Sequence, residues 1–304
     1  MIVLKFGGTS VKDVEWIDKA LTITRNQIEQ APLLVASAMG KTTDRLVEIS
    51  RLAEAGQREA AEEILSALRE SHLGTAGEFI TGENLKSCTS VLENHFQELK
   101  SIIKGLSLLR ECTPRSSDAI LAFGELCSTT IIAYRAKETG IETTFIDSRT
   151  IVKTDAEFTR ANVLEETTNR LIRQTIKPEA GKLYVAQGFI ASTESGITTT
   201  LGRGGSDYSA AILGAALDAR EIQIWTDVNG IMSSDPRAVD NARTIPVISY
   251  KEAAELAYFG AKVIHPSTIQ PAIVKEIPVL VKNTGNPDFG GTRIAPETRE
   301  KGLR

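Results

Sequence analysis

Cysteine, histidine and aromatic residues are scarce in this chain, and each scarcity excludes a class of chemistry. Cys88, Cys112 and Cys127 are the three cysteines in 304 residues. Their odd number and the lack of any C-x-x-C spacing argue against a disulfide framework or a thiolate metal centre, and they fit structural thiols in a reducing compartment. The three histidines, His72, His95 and His265, show no H-E-x-x-H or comparable ligand spacing, so no protein-built metal site is expected. Charge of one sign is missing as well. With 35 basic and 39 acidic residues, the formal net charge is −4, and no like-charge block offers a surface to nucleic acid or to a membrane. The apolar run at Met1–Gly8 is too short for a signal peptide, and no later stretch reads as a membrane span. A cytoplasmic protein is expected. Repeats and low-complexity tracts are also lacking.

Several nucleotide-binding signatures are missing too. Gly40-Lys41-Thr42 looks like the end of a Walker A loop, but Val35 stands where that loop needs its first glycine. Gly202-x-Gly204 looks like the start of a dinucleotide fingerprint, but Asp207 replaces the third glycine. Neither H-R-D nor D-F-G of the protein kinases occurs.

What is present is an alternation of short apolar runs with helical periodicity. Strands are predicted over 2–6, 33–38, 119–123, 143–146, 183–191, 221–225 and 278–282. Helical patterns cover 11–28, 42–104, 124–136, 162–176, 209–217 and 249–259. Residues 105–118 read as a surface connection, 197–200 as a β-excursion, and the tail from 283 as loop. With 41% hydrophobic residues the chain can bury a large core. The alternation predicts an α/β fold: a three-layer αβα sandwich with a mostly parallel central sheet, in two lobes that divide near residues 195–205. Ligands of such sheets bind beyond the carboxyl ends of the strands. Five segments fall there: 5–10, 37–43, 124–125, 202–207 and 226–227.

The stretch Leu201-Gly202-Arg203-Gly204-Gly205-Ser206-Asp207-Tyr208-Ser209-Ala210-Ala211 joins a glycine turn to a helical pattern. Backbone N–H groups at such a turn converge on an anion, and the helix dipole adds positive potential. Arg203 adds a fork that matches a carboxylate or phosphate. The same glycines would also serve a plain strand-to-helix turn with Ser206 or Asp207 as N-cap. Gly7-Gly8 repeats the pattern beside Lys5, a cation on an otherwise apolar strand that could also be an edge lysine reaching outward. Two glycine turns, each with a fixed cation, are parts that triphosphate transfer requires.

Five segments together resemble the signature segments of the aspartate kinases, within the amino-acid kinase superfamily. They are Lys5-Phe6-Gly7-Gly8-Thr9-Ser10, the Gly202–Ala211 stretch, Trp225-Thr226-Asp227-Val228, Asp235-Pro236-Arg237 and Phe259-Gly260-Ala261-Lys262-Val263-Ile264-His265-Pro266. They keep the family's order and span nearly the whole chain. The resemblance implies transfer of the ATP γ-phosphoryl group to the side-chain carboxylate of L-aspartate, giving 4-phospho-L-aspartate, the entry to lysine, methionine and threonine synthesis. It implies that Lys5 and Asp207 are catalytic, with Lys5, Gly7, Gly8, Gly204 and Gly205 on the phosphates. Thr43, Glu125, Arg203 and Ser206 would bind aspartate, Glu125 through its ammonium and Arg203 through a carboxylate. Thr226, Asp227, Met232, Arg237, Lys262 and Val263 would hold the nucleotide, with Mg²⁺ carried mainly by ATP. Residues 1–200 would form the amino-acid lobe and 201–304 the nucleotide lobe.

Three departures stand out. Met232 replaces the family's usual tyrosine, Lys41 adds a cation after the second strand, and the chain stops where the family usually continues into a pair of ACT regulatory domains. Feedback by lysine or threonine is therefore not carried over, and self-association or pairing with a regulatory domain stays open. The alternatives are another amino-acid or carbamate kinase of the superfamily, against which an acid at Glu125 argues, and a non-catalytic sensor of the same fold. Trp16 and Trp225 are expected to be packing aromatics, His72 and His95 surface or helix-face residues, and the charged run 58–70 a solvated helix face. His265 is expected to shape its turn.

Overall fold

The computed structural model describes residues 1–234, 241–258, 264 and 266–296. The first half contains β1 (Ile2–Phe6), α1 (Val14–Arg25), β2 (Pro32–Ala36), α2 (Thr42–Glu54), α3 (Arg58–Phe79), α4 (Gly82–Leu109) and α5 (Pro114–Glu138). Next come β3 (Glu142–Ile146), α6 (Ser148–Ile151), β4 (Lys153–Thr154), α7 (Glu165–Thr175), β5 (Lys182–Gln187), β6 (Ile190–Thr193) and β7 (Thr198–Thr200). The last part holds α8 (Gly205–Ala216), β8 (Ile222–Thr226), β9 (Val247–Ser249), α9 (Tyr250–Tyr258), α10 (Gln270–Val274), β10 (Val279–Asn283) and β11 (Thr292–Ala295).

Eight strands form one sheet in the order β3-β5-β2-β1-β8-β10-β11-β9, and β4-β6-β7 form a small second sheet. The strands from β3 to β10 are parallel. β11 runs antiparallel to β10, and β9 follows β11. β1 lies at the switch point: the chain leaves it for β2 on one side and returns to its other side as β8. Ligand sites of open α/β sheets form at such a point.

Helices cover both faces, which makes the αβα sandwich. Because side chains alternate across a strand, Ile2, Leu4 and Phe6 enter the core under α1–α5, and Val3 enters the core on the α8 side. Lys5 shares the face of Val3, so the alternation of β1 alone aims its ammonium toward α8. Trp225, 2% exposed, stacks on Phe6 with ring centroids 6.0 Å apart.

Several sequence expectations change. Residues 119–123 are not a strand; they are turns of α5, which Thr113 caps through Ser116 N–H with Pro114 in the first turn. That helix is buried on nearly every side, so it shows no amphipathic stripe. It is also long and apolar enough to cross a membrane, contrary to the sequence reading, but 78% of its apolar window is buried inside the fold. The predicted 183–191 strand breaks at Gly188–Phe189, where Phe189 takes φ 67°, and its end joins the small sheet as β6. The helical tract 42–104 is three helices, of which α4 runs on to Leu109. The tail after 283 contains β11 rather than loop alone. His72 is buried to 2% exposure, with Nδ1 2.8 Å from the Leu68 carbonyl and its pKa lowered by burial; it is a neutral core residue. His95 is half-buried against Phe123. Cys88 and Cys127 are buried free thiols, and burial raises the pKa of both.

Candidate active site

The carboxyl ends of β1, β2 and β8 meet the first turn of α8 and the middle of α5. Lys5 Nζ lies 2.8 Å from Asp207 Oδ1, and the two side chains are 12% and 14% exposed. Asp207 is the third residue of α8, where the N–H groups of the first turn lack helical acceptors. The N-cap is Gly204 at φ 72° with no side-chain cap, so neither Ser206 nor Asp207 caps the helix. That leaves both side chains free for other contacts.

The Gly7-Gly8 turn closes the opposite wall. Gly7 N–H donates to the Trp225 carbonyl at 3.1 Å, which fixes the end of β8 against it. A side chain at Gly7 would begin 3.5 Å from Lys5 Nζ, and one at Gly8 would begin 2.8 Å from the Ala38 carbonyl oxygen. Gly40 N–H donates to the Gly8 carbonyl at 3.0 Å, so the turns after β1 and β2 are in backbone contact. The helix that this turn opens is only the 3₁₀ turn Gly8–Val11; α1 starts later, capped by Asp13. Its macrodipole is correspondingly small, and Lys5 supplies the strong positive charge on this side.

Glu125 reaches the same place from the interior of α5, not from a strand end as the sequence suggested. It is 3% exposed; Oε1 accepts the Ala38 N–H at 3.1 Å and Oε2 has no hydrogen-bond partner among the described residues. Burial pushes its pKa up to about 8, opposed by the Ala38 N–H and the Lys5 charge. A buried carboxyl with one oxygen unpaired suits a cationic ligand group.

Ser206 is 8% exposed, and its Oγ accepts a hydrogen bond from Ser37 Oγ at 2.9 Å. Ser128 Oγ holds the Ser37 carbonyl, so α5 braces both Glu125 and the Ser37–Ser206 pair. Arg203 is exposed in the turn before α8, without an ion pair among the described residues. Thr43 is half-buried in the first turn of α2. Gly204 and Gly205 are close-packed: a Cβ on them would meet Thr268 Cγ2 at 2.7 Å and Phe189 Cδ2 at 2.8 Å.

Thr226 and Asp227 follow β8 and are joined by a Thr226 Oγ1 to Asp227 Oδ1 hydrogen bond of 3.1 Å. Met232 forms a β-bridge with Thr244, whose hydroxyl lies 3.5 Å from the Met232 sulfur. Arg237, Lys262, Val263 and His265 lie outside the described residues. Among the described residues, no three Asp, Glu, His or Cys side chains cluster as metal ligands.

Two contributors had no individual role in the sequence reading. Ser37 was included only as the start of the 37–43 segment, and Gly188 was read as mid-strand. A Cβ on Gly188 would lie 2.6 Å from Ser206 Cβ and 2.7 Å from its Oγ. Gly188→Ala is therefore expected to push back the first turn of α8, destabilise the fold by about 1–3 kcal/mol and raise the KM of the acceptor. Thermal melts and steady-state kinetics check both; a variant with unchanged Tm and KM contradicts the close packing.

The chain is a three-layer α/β sandwich with a lysine–aspartate pair at its switch point, and residues 1–283 match the Amino acid kinase family. The chain belongs to that family. It is 38% identical over 307 residues to aspartokinase 1, chloroplastic, of Arabidopsis thaliana, covering 98% of this chain and 52% of the relative. It is 36% identical over 309 residues to the lysine-sensitive aspartokinase 3 of Escherichia coli, covering 100% of this chain and 66% of the relative. Among solved structures, E. coli aspartokinase III in complex with aspartate and ADP superposes with a TM-score of 0.89 at 35% identity, over 99% of this chain and 65% of that one. The chain spans about a third to two thirds of the length of the relatives it matches.

Proposed function

We propose that this chain carries the catalytic site of an aspartate kinase, transferring the γ-phosphoryl group of ATP to the side-chain carboxylate of L-aspartate. The observation that carries the reading is the buried Glu125, its Oε2 unpaired, at the same strand ends as the Lys5–Asp207 pair. The relative solved with aspartate and ADP supports it. In this reading Glu125 binds the substrate ammonium and Arg203 a carboxylate, with Thr43 and Ser206 completing the acceptor pocket. Lys5, Gly7, Gly8, Gly204 and Gly205 contact the phosphates, and Asp207 holds the Lys5 ammonium in place. Thr226, Asp227 and Met232, with Arg237, Lys262 and Val263 by their motif positions, serve the nucleotide. In this reading residues 1–200 supply most of the amino-acid side, which Arg203 and Ser206 complete, and 201–304 otherwise serve the nucleotide.

The acceptor carboxylate is ionised at neutral pH, so its oxygen attacks the γ-phosphorus without a general base and ADP leaves. The chain's work is to align the two substrates and to meet the charge that spreads over the transferring group with the Lys5 ammonium and the α8 N-terminus. The donor set fits Mg²⁺ carried by ATP, since no three metal-ligating side chains cluster among the described residues; when bound, Mg²⁺ would neutralise phosphate charge. The product is the first intermediate toward lysine, methionine and threonine. Free, buried cysteines support a reducing compartment such as the cytoplasm.

ADP release measured with aspartate, glutamate and N-acetylglutamate tests the reading. Turnover with aspartate is expected, and a preference for N-acetylglutamate, which has no ammonium for Glu125, overturns it.

A further inference from the structure

The buried acid Asp118 has no part in the mechanism above, although it lies two turns before Glu125 on the same face of α5. It is fully buried and fully used. Oδ2 accepts the N–H groups of Thr159 at 2.8 Å and Thr200 at 3.0 Å, and Oδ1 accepts the Thr200 hydroxyl at 2.7 Å. These partners sit in two separate segments, the turn at Thr159 and the end of β7. Thr159 has φ 71°, a left-handed conformation that a β-branched residue rarely adopts without outside support. Thr200 ends β7 and leads through Leu201 and Gly202 to Arg203, and its carbonyl accepts the Ala161 N–H at 2.9 Å.

The Thr159 turn and the turn after β7 also pack on each other. A Cβ on Gly202, itself at φ 72°, would lie 3.2 Å from both the Thr159 carbonyl oxygen and Arg160 Cγ. The Thr159–Arg160 turn is thus the floor against which the Gly202–Arg203 turn rests. Asp118 holds one loop directly and the root of the other. Arg160 and Arg203, both exposed, are the guanidiniums these two turns carry.

We propose that Asp118 is a positioning residue of the acceptor site: its carboxylate clamps the strained Thr159 turn to Thr200 and so fixes where Arg203 meets the substrate carboxylate. α5 would then set both poles of the acceptor, the ammonium through Glu125 and the carboxylate through Asp118 and Arg203. This inference rests on the aspartate kinase reading for its choice of ligand, and on the hydrogen bonds alone for the clamp.

Asp118→Asn keeps the shape of the side chain and one strong acceptor, while Asp118→Ala would leave two N–H groups without a partner. The full chain with Asp118→Asn is therefore the test, read by limited trypsin digestion and by kinetics. Cleavage after Arg160 and Arg203 is expected to quicken about tenfold or more, with other sites unchanged, because loops released from tertiary contacts open locally. The KM for aspartate should rise about tenfold while that for ATP stays within about twofold, as expected when one binding group is misplaced. Adding Thr159→Gly, which adopts the left-handed turn without strain, should recover part of the aspartate KM. Unchanged cleavage at the two arginines, faster cleavage at every site alike, or an unchanged aspartate KM overturns the proposal. A wild-type protein that does not phosphorylate aspartate would overturn the acceptor reading instead, and the digestion pattern would still decide the clamp.

Discussion

Lys5→Ala is expected to lower kcat at least about 10²-fold, the usual loss when a preorganised group that meets transition-state charge is removed. The side chain is mostly shielded from water and paired at 2.8 Å with Asp207, so its field acts in a medium that screens it less than bulk water does. Its loss leaves Asp207 unpaired near the transferring phosphoryl group, adding repulsion to the missing attraction. The KM for aspartate should move far less than kcat, because Glu125 and Arg203 carry acceptor binding in this account. Steady-state kinetics on folded variant, verified by its melting curve, provide the check. An unchanged kcat would remove Lys5 from the chemistry and reduce the pair to a structural contact.

Glu125→Gln should have the second largest effect, on binding and on pH dependence together. Glutamine still accepts the Ala38 N–H but offers a substrate ammonium no charge, so the KM for aspartate is expected to rise about 10- to 100-fold. Burial raises the Glu125 pKa from 4.5 to about 8, so between those values the folded chain holds a proton that the unfolded chain releases. The contribution of this group to stability is therefore greatest below pH 4.5 and is lost as pH rises through 8. At about 1.36 kcal/mol per pH unit, the loss is on the order of 5 kcal/mol. Ammonium binding needs the ionised form, so aspartate affinity should weaken up to about tenfold per pH unit below pH 8. Denaturation and aspartate binding measured from pH 5 to 9 read both slopes, and both should flatten in Glu125→Gln. A wild-type affinity independent of pH over that range would contradict the assignment of Glu125 to the ammonium.

Local patterns made the centre of the site legible in the sequence. A lysine in a period-2 apolar strand ending in Gly-Gly, and an acid just inside a glycine-opened helix, marked Lys5 and Asp207 as candidates, and the family resemblance supplied their roles. Their pairing depends on β1 and α8 lying at the switch point; the strand–helix alternation implied converging strand ends but not the strand order. Glu125 was assigned to aspartate through the family resemblance but given the wrong setting. The run Ala119–Phe123 is apolar throughout, and a helix buried on all sides offers no periodicity to distinguish it from a strand. Gly188 and Phe189 carried no signal of the bend that ends β5, since the bend answers to Ser206 and Ser209, distant in sequence; Ser209 Oγ accepts the Phe189 N–H at 2.9 Å. The short strands β9 and β11 at one end of the sheet have three and four residues, too few to show alternation. Asp118 was invisible for the same reason as Gly188, because its partners are 41 and 82 residues away.

Trapping with hydroxylamine tests the central claim most directly, because an acyl phosphate is converted to a hydroxamate whereas other phosphorylated products are not. With ATP, Mg²⁺ and L-aspartate, the chain is predicted to yield aspartyl hydroxamate in amounts that match the ADP released. Binding of both ATP and aspartate with no hydroxamate formed would contradict the account.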